Sequence, residues 1–165
     1  MVFELEPLFN NIGYTMDISY DMDMSDVDFN MTRPFTTPVR VRGRFINSAG
    51  VVSVSAVAEF SLDLFCDRCA SPIVKACRIP VEHVLVTELN DEENNIDLIL
   101  LDSFRFQLDE LVCDDIFLEL PSKFLCKDDC AGICASCGKN LNDGPCSCKK
   151  SVDPRLEALL QLLDN

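Results

Sequence analysis

Histidine is almost absent from this 165-residue chain, which carries only His83. A catalytic zinc keeps an open coordination position and usually includes histidine, so that chemistry has little to work with here. A Ser–His–Asp arrangement would have to use His83, which has no motif around it. We read it as a partly exposed histidine in a strand. Glycine patterns that cradle phosphates are also missing: there is neither a P-loop nor G-x-G-x-x-G. No stretch approaches the roughly 18 consecutive apolar residues of a membrane helix. The segment MVFELEPLF lacks the basic region and apolar run of a signal peptide, so a cytoplasmic location is expected. Basic charge is scarce. Fourteen Lys and Arg against 28 Asp and Glu give a formal charge of −14. A uniform surface of that sign repels nucleic acid and attracts basic partners.

What is present includes enough apolar side chain, 48% of residues, to build a core without cross-links. The charge is also uneven. Residues 1–32 hold Glu4, Glu6, Asp17, Asp21, Asp23, Asp26 and Asp28 with no Lys or Arg, whereas residues 33–50 hold Arg33, Arg40, Arg42 and Arg44 with no acid. Alternation predicts three strands in succession. In YTMDISYDM, Tyr14, Met16, Ile18, Tyr20 and Met22 share a face. In PVRVRGRFIN, Val39, Val41 and Phe45 oppose Arg40, Arg42 and Arg44. In VVSVSAVAEFSLDLFC, Val52, Val54, Ala56, Ala58, Phe60, Leu62 and Leu64 oppose polar residues. Asn47–Gly50 is a turn signal. IVKACRIPVEHVLVTEL is a further strand, with Pro80 marking an edge or bulge. Together these runs read as an antiparallel meander.

Asn90–Asn95 is an acidic solvated loop. After it the period lengthens: Phe104, Leu108, Leu111 and Val112 predict a helix with Ser103 near its N-cap and Pro121 beyond its end. A second helix is expected from Asp153 and Pro154, with Leu156, Leu159, Leu160 and Leu163 as its apolar stripe. The expected fold class is α+β. It has an antiparallel sheet that could curl into a partial barrel and a covering helix over residues 1–121, then a cysteine-rich lobe and terminal helix over residues 122–165.

Six of ten cysteines fall between Cys126 and Cys148. Cys134-x-x-Cys137-Gly138 has the form of a zinc knuckle, in which two thiolates reach one metal from a tight turn and glycine lets the backbone bend. Cys146-x-Cys148 follows the turn-forming Asn-Asp-Gly-Pro and supplies a second pair, so Cys134, Cys137, Cys146 and Cys148 form a candidate zinc site. Four thiolates fill a tetrahedral shell, which speaks for a structural metal. Cys66-Asp-Arg-Cys69 is another C-x-x-C, at a strand-to-strand tip. With Cys126 and Cys130 it could complete a second site; alone it could act as a redox dithiol. Thioredoxin-like dithiols sit where a strand meets a helix, which disfavours the redox alternative. The spacings match neither common ferredoxin pattern. Cys77 and Cys113 are left over and read as buried free cysteines. The pairs Asp114–Asp115 and Asp128–Asp129 read as solvated. Lys123, Lys127, Lys139, Lys149 and Lys150 flank the cluster, where they would partly offset thiolate charge or could touch phosphate.

LFCDRC after a long strand, ELPSKFLCKDDCAGICASCGKNLNDGPCSC, and DPRLEALLQLL together resemble the large-ribosomal-RNA-subunit accumulation family, the YceD-like proteins. On that resemblance Cys66, Arg68 and Cys69 match its C-x-R-C motif. Cys126, Cys130, Cys134, Cys137, Gly138, Asn140, Leu141, Asn142, Cys146 and Cys148 match its C-terminal block. The resemblance implies a non-enzymatic factor in large-subunit ribosomal RNA accumulation or processing, with a ribosomal protein or that RNA as partner. Arg40, Arg42 and Arg44, on one face of a strand, are the expected RNA contact.

Overall fold

A computed structural model describes residues 1–88 and 98–148. The acidic loop at Asn90–Asn95, Lys149, Lys150 and the helix expected from Asp153 lie outside them. The chain divides into two compact units. One is Met1–Leu64 with Pro72–Phe124; the other is Phe65–Ser71 with the described chain from Leu125 on.

In chain order the first unit contains β1 (Val2–Glu4), α1 (Glu6–Asn10), β2 (Thr15–Met22), β3 (Val39–Ser48), β4 (Val51–Phe65, whose last residue falls in the second unit), β5 (Pro72–Val86), β6 (Leu98–Leu100), β7 (Arg105–Gln107) and α2 (Leu108–Glu119). A five-stranded sheet runs β2-β3-β4-β5-β6, and β1 pairs with β7 in a separate two-stranded ribbon. The alternation read from the sequence sets the faces. Every second residue of β4 from Val52 to Leu64 is buried, and Val39, Val41 and Phe45 of β3 are buried while Arg40, Arg42 and Arg44 are exposed. Each fully buried Val, Leu or Phe contributes about 1.5–3 kcal/mol, so this one face carries much of the unit's stability.

The β3–β4 hairpin closes at Ala49 and Gly50, both at positive φ (54° and 90°), with Ser48 paired to Val51. Two left-handed residues give the turn whose twist matches that of paired strands. Asn47, buried at 1% exposure, secures it. Its amide donates to the Leu8 carbonyl at 2.6 Å, and its oxygen accepts from the Gly50 N–H at 2.9 Å. Gly43 stands opposite Ala56, and a Cβ there would lie 2.3 Å from the Ala56 Cα, so the two strands meet only because the side chain is missing.

Three expectations are corrected. Among the described residues the sheet is open, so the partial barrel is not supported. β2 and β6 are its edges, and closure would require them to pair. The apolar face is covered instead by a second layer. Leu5 at the start of α1 and Leu8 within it, Leu108, Val112 and Ile116 from α2, and the ribbon's Phe106 are all buried. Phe3 packs edge-on to Phe45 with ring centroids 5.2 Å apart. Secondly, the sheet is not wholly antiparallel: β6 runs parallel to β5 over Val84–Val86. Because β6 borders only that end, Pro80 occupies a part of β5 with no described neighbour on that side, where its missing N–H is harmless. Thirdly, the helix begins at Leu108, not near Ser103, because Arg105–Gln107 pairs with β1 and holds that stretch extended. It ends before Pro121 as expected.

Candidate metal centre

Among its described residues the second unit has no aliphatic interior. Among its described residues only Cys66, Cys69, Cys130 and Gly132 are buried. The order of this described part rests on hydrogen bonds and sulfur.

Two loops in this unit have the same shape. After β4 the chain turns through Cys66-Asp-Arg-Cys69, and the N–H of Ala70 donates to the Cys66 carbonyl at 2.8 Å. In the C-terminal block it turns through Cys134-Ala-Ser-Cys137, and the N–H of Gly138 donates to the Cys134 carbonyl at 2.9 Å. The donor residue is left-handed in both, with φ of 56° at Ala70 and 72° at Gly138. Glycine adopts that region freely, whereas alanine does so at a cost of about 1–2 kcal/mol. The equivalence with Cys134–Gly138 was therefore hidden in the sequence, where Cys66–Cys69 is followed by an ordinary residue.

The structure gathers the eight cysteines into two sets of four: Cys66, Cys69, Cys126 and Cys130, and separately Cys134, Cys137, Cys146 and Cys148. Within each set all the sulfurs lie within 4.8 Å of one another. The Cys66–Cys130 sulfurs are 3.7 Å apart, Cys69–Cys126 3.6 Å, and Cys134–Cys146 3.4 Å. A disulfide needs about 2.05 Å. Four sulfurs about 2.3 Å from a central zinc stand about 3.8 Å apart at the corners of a tetrahedron. Each set could hold a metal ion, and its donors fit a thiophilic one.

Hydrogen bonds prepare some sulfurs for that role. Burial alone would raise the Cys66 thiol, but backbone N–H groups of Cys126, Arg68 and Cys69 outweigh it and bring it down to about 6. Backbone N–H groups of Ser136 and Cys137 lower Cys134 to about 6, the Ser136 donor lying 3.4 Å from the sulfur. The Asn142 side-chain amide lowers Cys130. Other members of each set are pushed the opposite way. Desolvation and the sulfurs of Cys130, Cys69 and Cys66 push Cys126 up to about 12. Cys126 is exposed as a residue, but its sulfur faces the other three. The Cys137 sulfur, then desolvation, push Cys148 up to about 12. A cluster in which some thiols ionise easily and the rest resist becomes uniformly thiolate only when a cation balances the charge.

Other side chains brace the sets. Arg68 donates to the Cys130 carbonyl at 3.0 Å, joining the strand-tip turn to the distant loop. Asn142 donates to the Cys130 sulfur at 3.3 Å. The sequence marked Arg68, Asn140 and Asn142 only as matches to a motif and gave them no task.

The remaining sequence candidates are scattered. Cys77 on β5 and Cys113 on α2 belong to neither set. Both are half-buried against the core, and burial raises both thiols. His83 has a partner that the sequence did not show. Its Nε2 lies 2.9 Å from an Asp115 carboxylate oxygen, so Asp115, 12% exposed, is not a solvated acid. Strand and helix are far apart in sequence, and no local pattern links them.

Arg40, Arg42 and Arg44 do share an exposed face, but acids stand beside two of them. Asp21 and Glu59 flank Arg40 across the strands, with an Asp21 oxygen 3.8 Å from its Nε, and Glu59 also meets Arg78 at 3.6 Å. Asp17 is opposite Arg44, and only Arg42 faces uncharged neighbours, Ser19 and Val57. A shallow groove of about 560 Å³ runs over this charge ladder, lined by Asp21, Arg40, Glu59 and Arg78 among others. No helix among the described residues is long and apolar enough to cross a membrane.

Comparison with known proteins adds a family. The model described as "Large ribosomal RNA subunit accumulation protein YceD" matches residues 54–163, from inside β4 through both cysteine sets. "Uncharacterized protein Rv2926c" of Mycobacterium tuberculosis and "Uncharacterized protein Mb2951c" of Mycobacterium bovis are each 27% identical over 119 residues, 69% of this chain and 54% of theirs. "Uncharacterized protein ML1660" of Mycobacterium leprae is 25% identical over 120 residues, 70% of this chain and 52% of its own. The chain thus spans about half the length of the curated relatives it matches. No solved structure matches it.

Proposed function

Because this chain belongs to the YceD family of large ribosomal RNA subunit accumulation proteins, we propose that it is a non-enzymatic factor in making the large ribosomal subunit. Zinc at both cysteine sets shapes the surface it presents to a partner. Cys134, Cys137, Cys146 and Cys148 hold one ion, and Cys66, Cys69, Cys126 and Cys130 hold the other. One observation carries this reading: two complete four-sulfur shells lie in a unit whose buried side chains, among the described residues, are all cysteines. Such shells leave no open position for substrate, so the metal's contribution is shape.

Charge favours a basic ribosomal protein as the partner over bare RNA. Two zinc–tetrathiolate centres would take the formal charge from −14 to about −18. The acids beside Arg40 and Arg44 also weaken the case for that face as an RNA contact. The thiol-redox alternative draws support from the low Cys66 pKa alone. Against it, Cys66 and Cys69 are only 2% and 6% exposed, and the sulfurs of Cys130 and Cys126 stand beside them.

The test is depletion and rescue. In cells lacking the protein, mature large-subunit RNA should fall relative to small-subunit RNA. The wild-type chain should restore it, and Cys66→Ser and Cys134→Ser should not. An unchanged ratio on depletion would overturn the role. Rescue by both cysteine variants would overturn the part given to metal.

A further inference from the structure

Besides the three residues that run directly from Cys130 to Cys134, a second short segment, Asn140–Asn142, links the two cysteine sets. It lies between Cys137 and Cys146, so metal at the C-terminal set would tie down both of its ends. Its own shape is a turn at Leu141–Asp143, in which the Asn140 side-chain oxygen accepts from the Asn142 N–H at 3.0 Å.

From that position the segment reaches the other set at several points. The Asn142 side-chain amide donates to the Cys130 sulfur at 3.3 Å, and its oxygen accepts from the Ala131 N–H at 2.9 Å. The Asn140 amide donates to the Ser71 hydroxyl at 3.3 Å, and that hydroxyl lies 3.3 Å from the Cys69 sulfur. The Leu141 N–H donates to the Gly132 carbonyl at 2.8 Å, just beyond Cys130. The Cys130 sulfur directly, and the Cys69 sulfur through Ser71, are therefore reached by residues whose placement depends on the other set.

We propose that the two sets load metal cooperatively, with Asn140 and Asn142 as the positioning residues that couple them. This rests on the metal reading above. Loading the Cys134/Cys137/Cys146/Cys148 set fixes the turn and brings a pre-ordered amide to Cys130. By linkage, loading the other set favours the first to the same degree. Outer-sphere partners of metal ligands typically change affinity 10–100-fold when removed, which sets the size of the effect.

Titration of the reduced, metal-free full chain with Co²⁺, read by its sulfur-to-cobalt charge-transfer and d–d bands against a competing chelator, tests this. The wild-type chain should take up two ions with tetrahedral, all-sulfur spectra. Cys137→Ser/Cys146→Ser should bind one ion at the remaining set, 10–100-fold more weakly than wild type. Asn142→Ala, which removes no sulfur, should still bind two ions. It should weaken the Cys130-containing set, move that set's charge-transfer band to lower energy through loss of the N–H···S bond, and reduce the dependence of one set on the other. A residue that merely held the fold would leave the band unmoved. If two ions bind in wild type but the affinity of each set ignores the state of the other, coupling is overturned and the metal reading stands. If no all-sulfur spectrum develops in wild type, both fall.

Discussion

Chelation should dismantle one unit and spare the other. The unit containing the cysteines buries Cys66, Cys69 and Cys130 and no aliphatic side chain among its described residues. At about 0.8 kcal/mol per buried CH₂, these contribute only a few kcal/mol. A structural zinc contributes about 10–16 kcal/mol per site at neutral pH, so its loss exceeds what the remaining contacts among the described residues can offset. The sheet unit has its own core, from Leu5 to Phe124, and holds no member of either set. Amide hydrogen exchange separates the two. In the metal-loaded protein the N–H groups of Cys134, Gly138 and Leu141, bonded to the carbonyls of Lys139, Cys134 and Gly132, should be protected. After chelation under reducing conditions they should exchange at coil rates, while amides in the β3–β4 ladder keep their protection. At 1.4 kcal/mol per decade, a loss of even half of one site's contribution removes more than three decades of protection. Protection that survives within tenfold in protein shown to be metal-free would refute the reasoning, because the unit would then be stable without the metal, on contacts beyond those among its described residues.

Other outcomes can be checked by substitution. Gly43→Ala should lower the urea midpoint of the sheet unit by the equivalent of about 1–3 kcal/mol or more, because the added Cβ meets the Ala56 backbone at 2.3 Å. At an ordinary strand glycine the same change is favourable, so a raised midpoint would show that the close approach is not real. Ala70→Gly should leave metal affinity and stability unchanged or slightly improved, since relief of left-handed strain (about 1–2 kcal/mol) offsets added chain freedom. Gly138→Val should weaken metal binding at the C-terminal set, because φ of 72° is worst for a branched side chain. Equal effects of the two changes on Co²⁺ affinity would refute the likeness between the loops.

The sequence revealed features that repeat over many residues. Period-two alternation across Thr15–Met22, Val39–Ser48 and Val51–Phe65 gave strands and faces together, since one buried face constrains every second residue. What it hid was short or remote. Leu98–Leu100 and Arg105–Gln107 are three-residue strands, too short for any period to show, and the second displaced the expected start of the helix. The choice between an open sheet and a curled one depended on layers contributed by α1 and the ribbon, which no local pattern announces. Cysteine spacing marked the eight sulfurs that the structure gathers into two sets, because chelation demands particular residue types at short separations. The groups that brace them, Arg68, Ser71, Asn140 and Asn142, are common polar residues whose meaning lies in which sulfur or carbonyl they reach. Asp115 escaped for the same reason, read as solvated although it meets His83.

The set containing Cys66 and Cys130 also has a consequence in time. Its two halves are 64 residues apart along the chain. At a synthesis rate of about 5–20 residues per second, the strand-tip pair waits roughly 3–13 seconds for Cys130 to be made. A newborn chain therefore displays only half of this four-sulfur set for that interval. During it, oxidants and competing ions have access to sulfurs that the finished protein encloses.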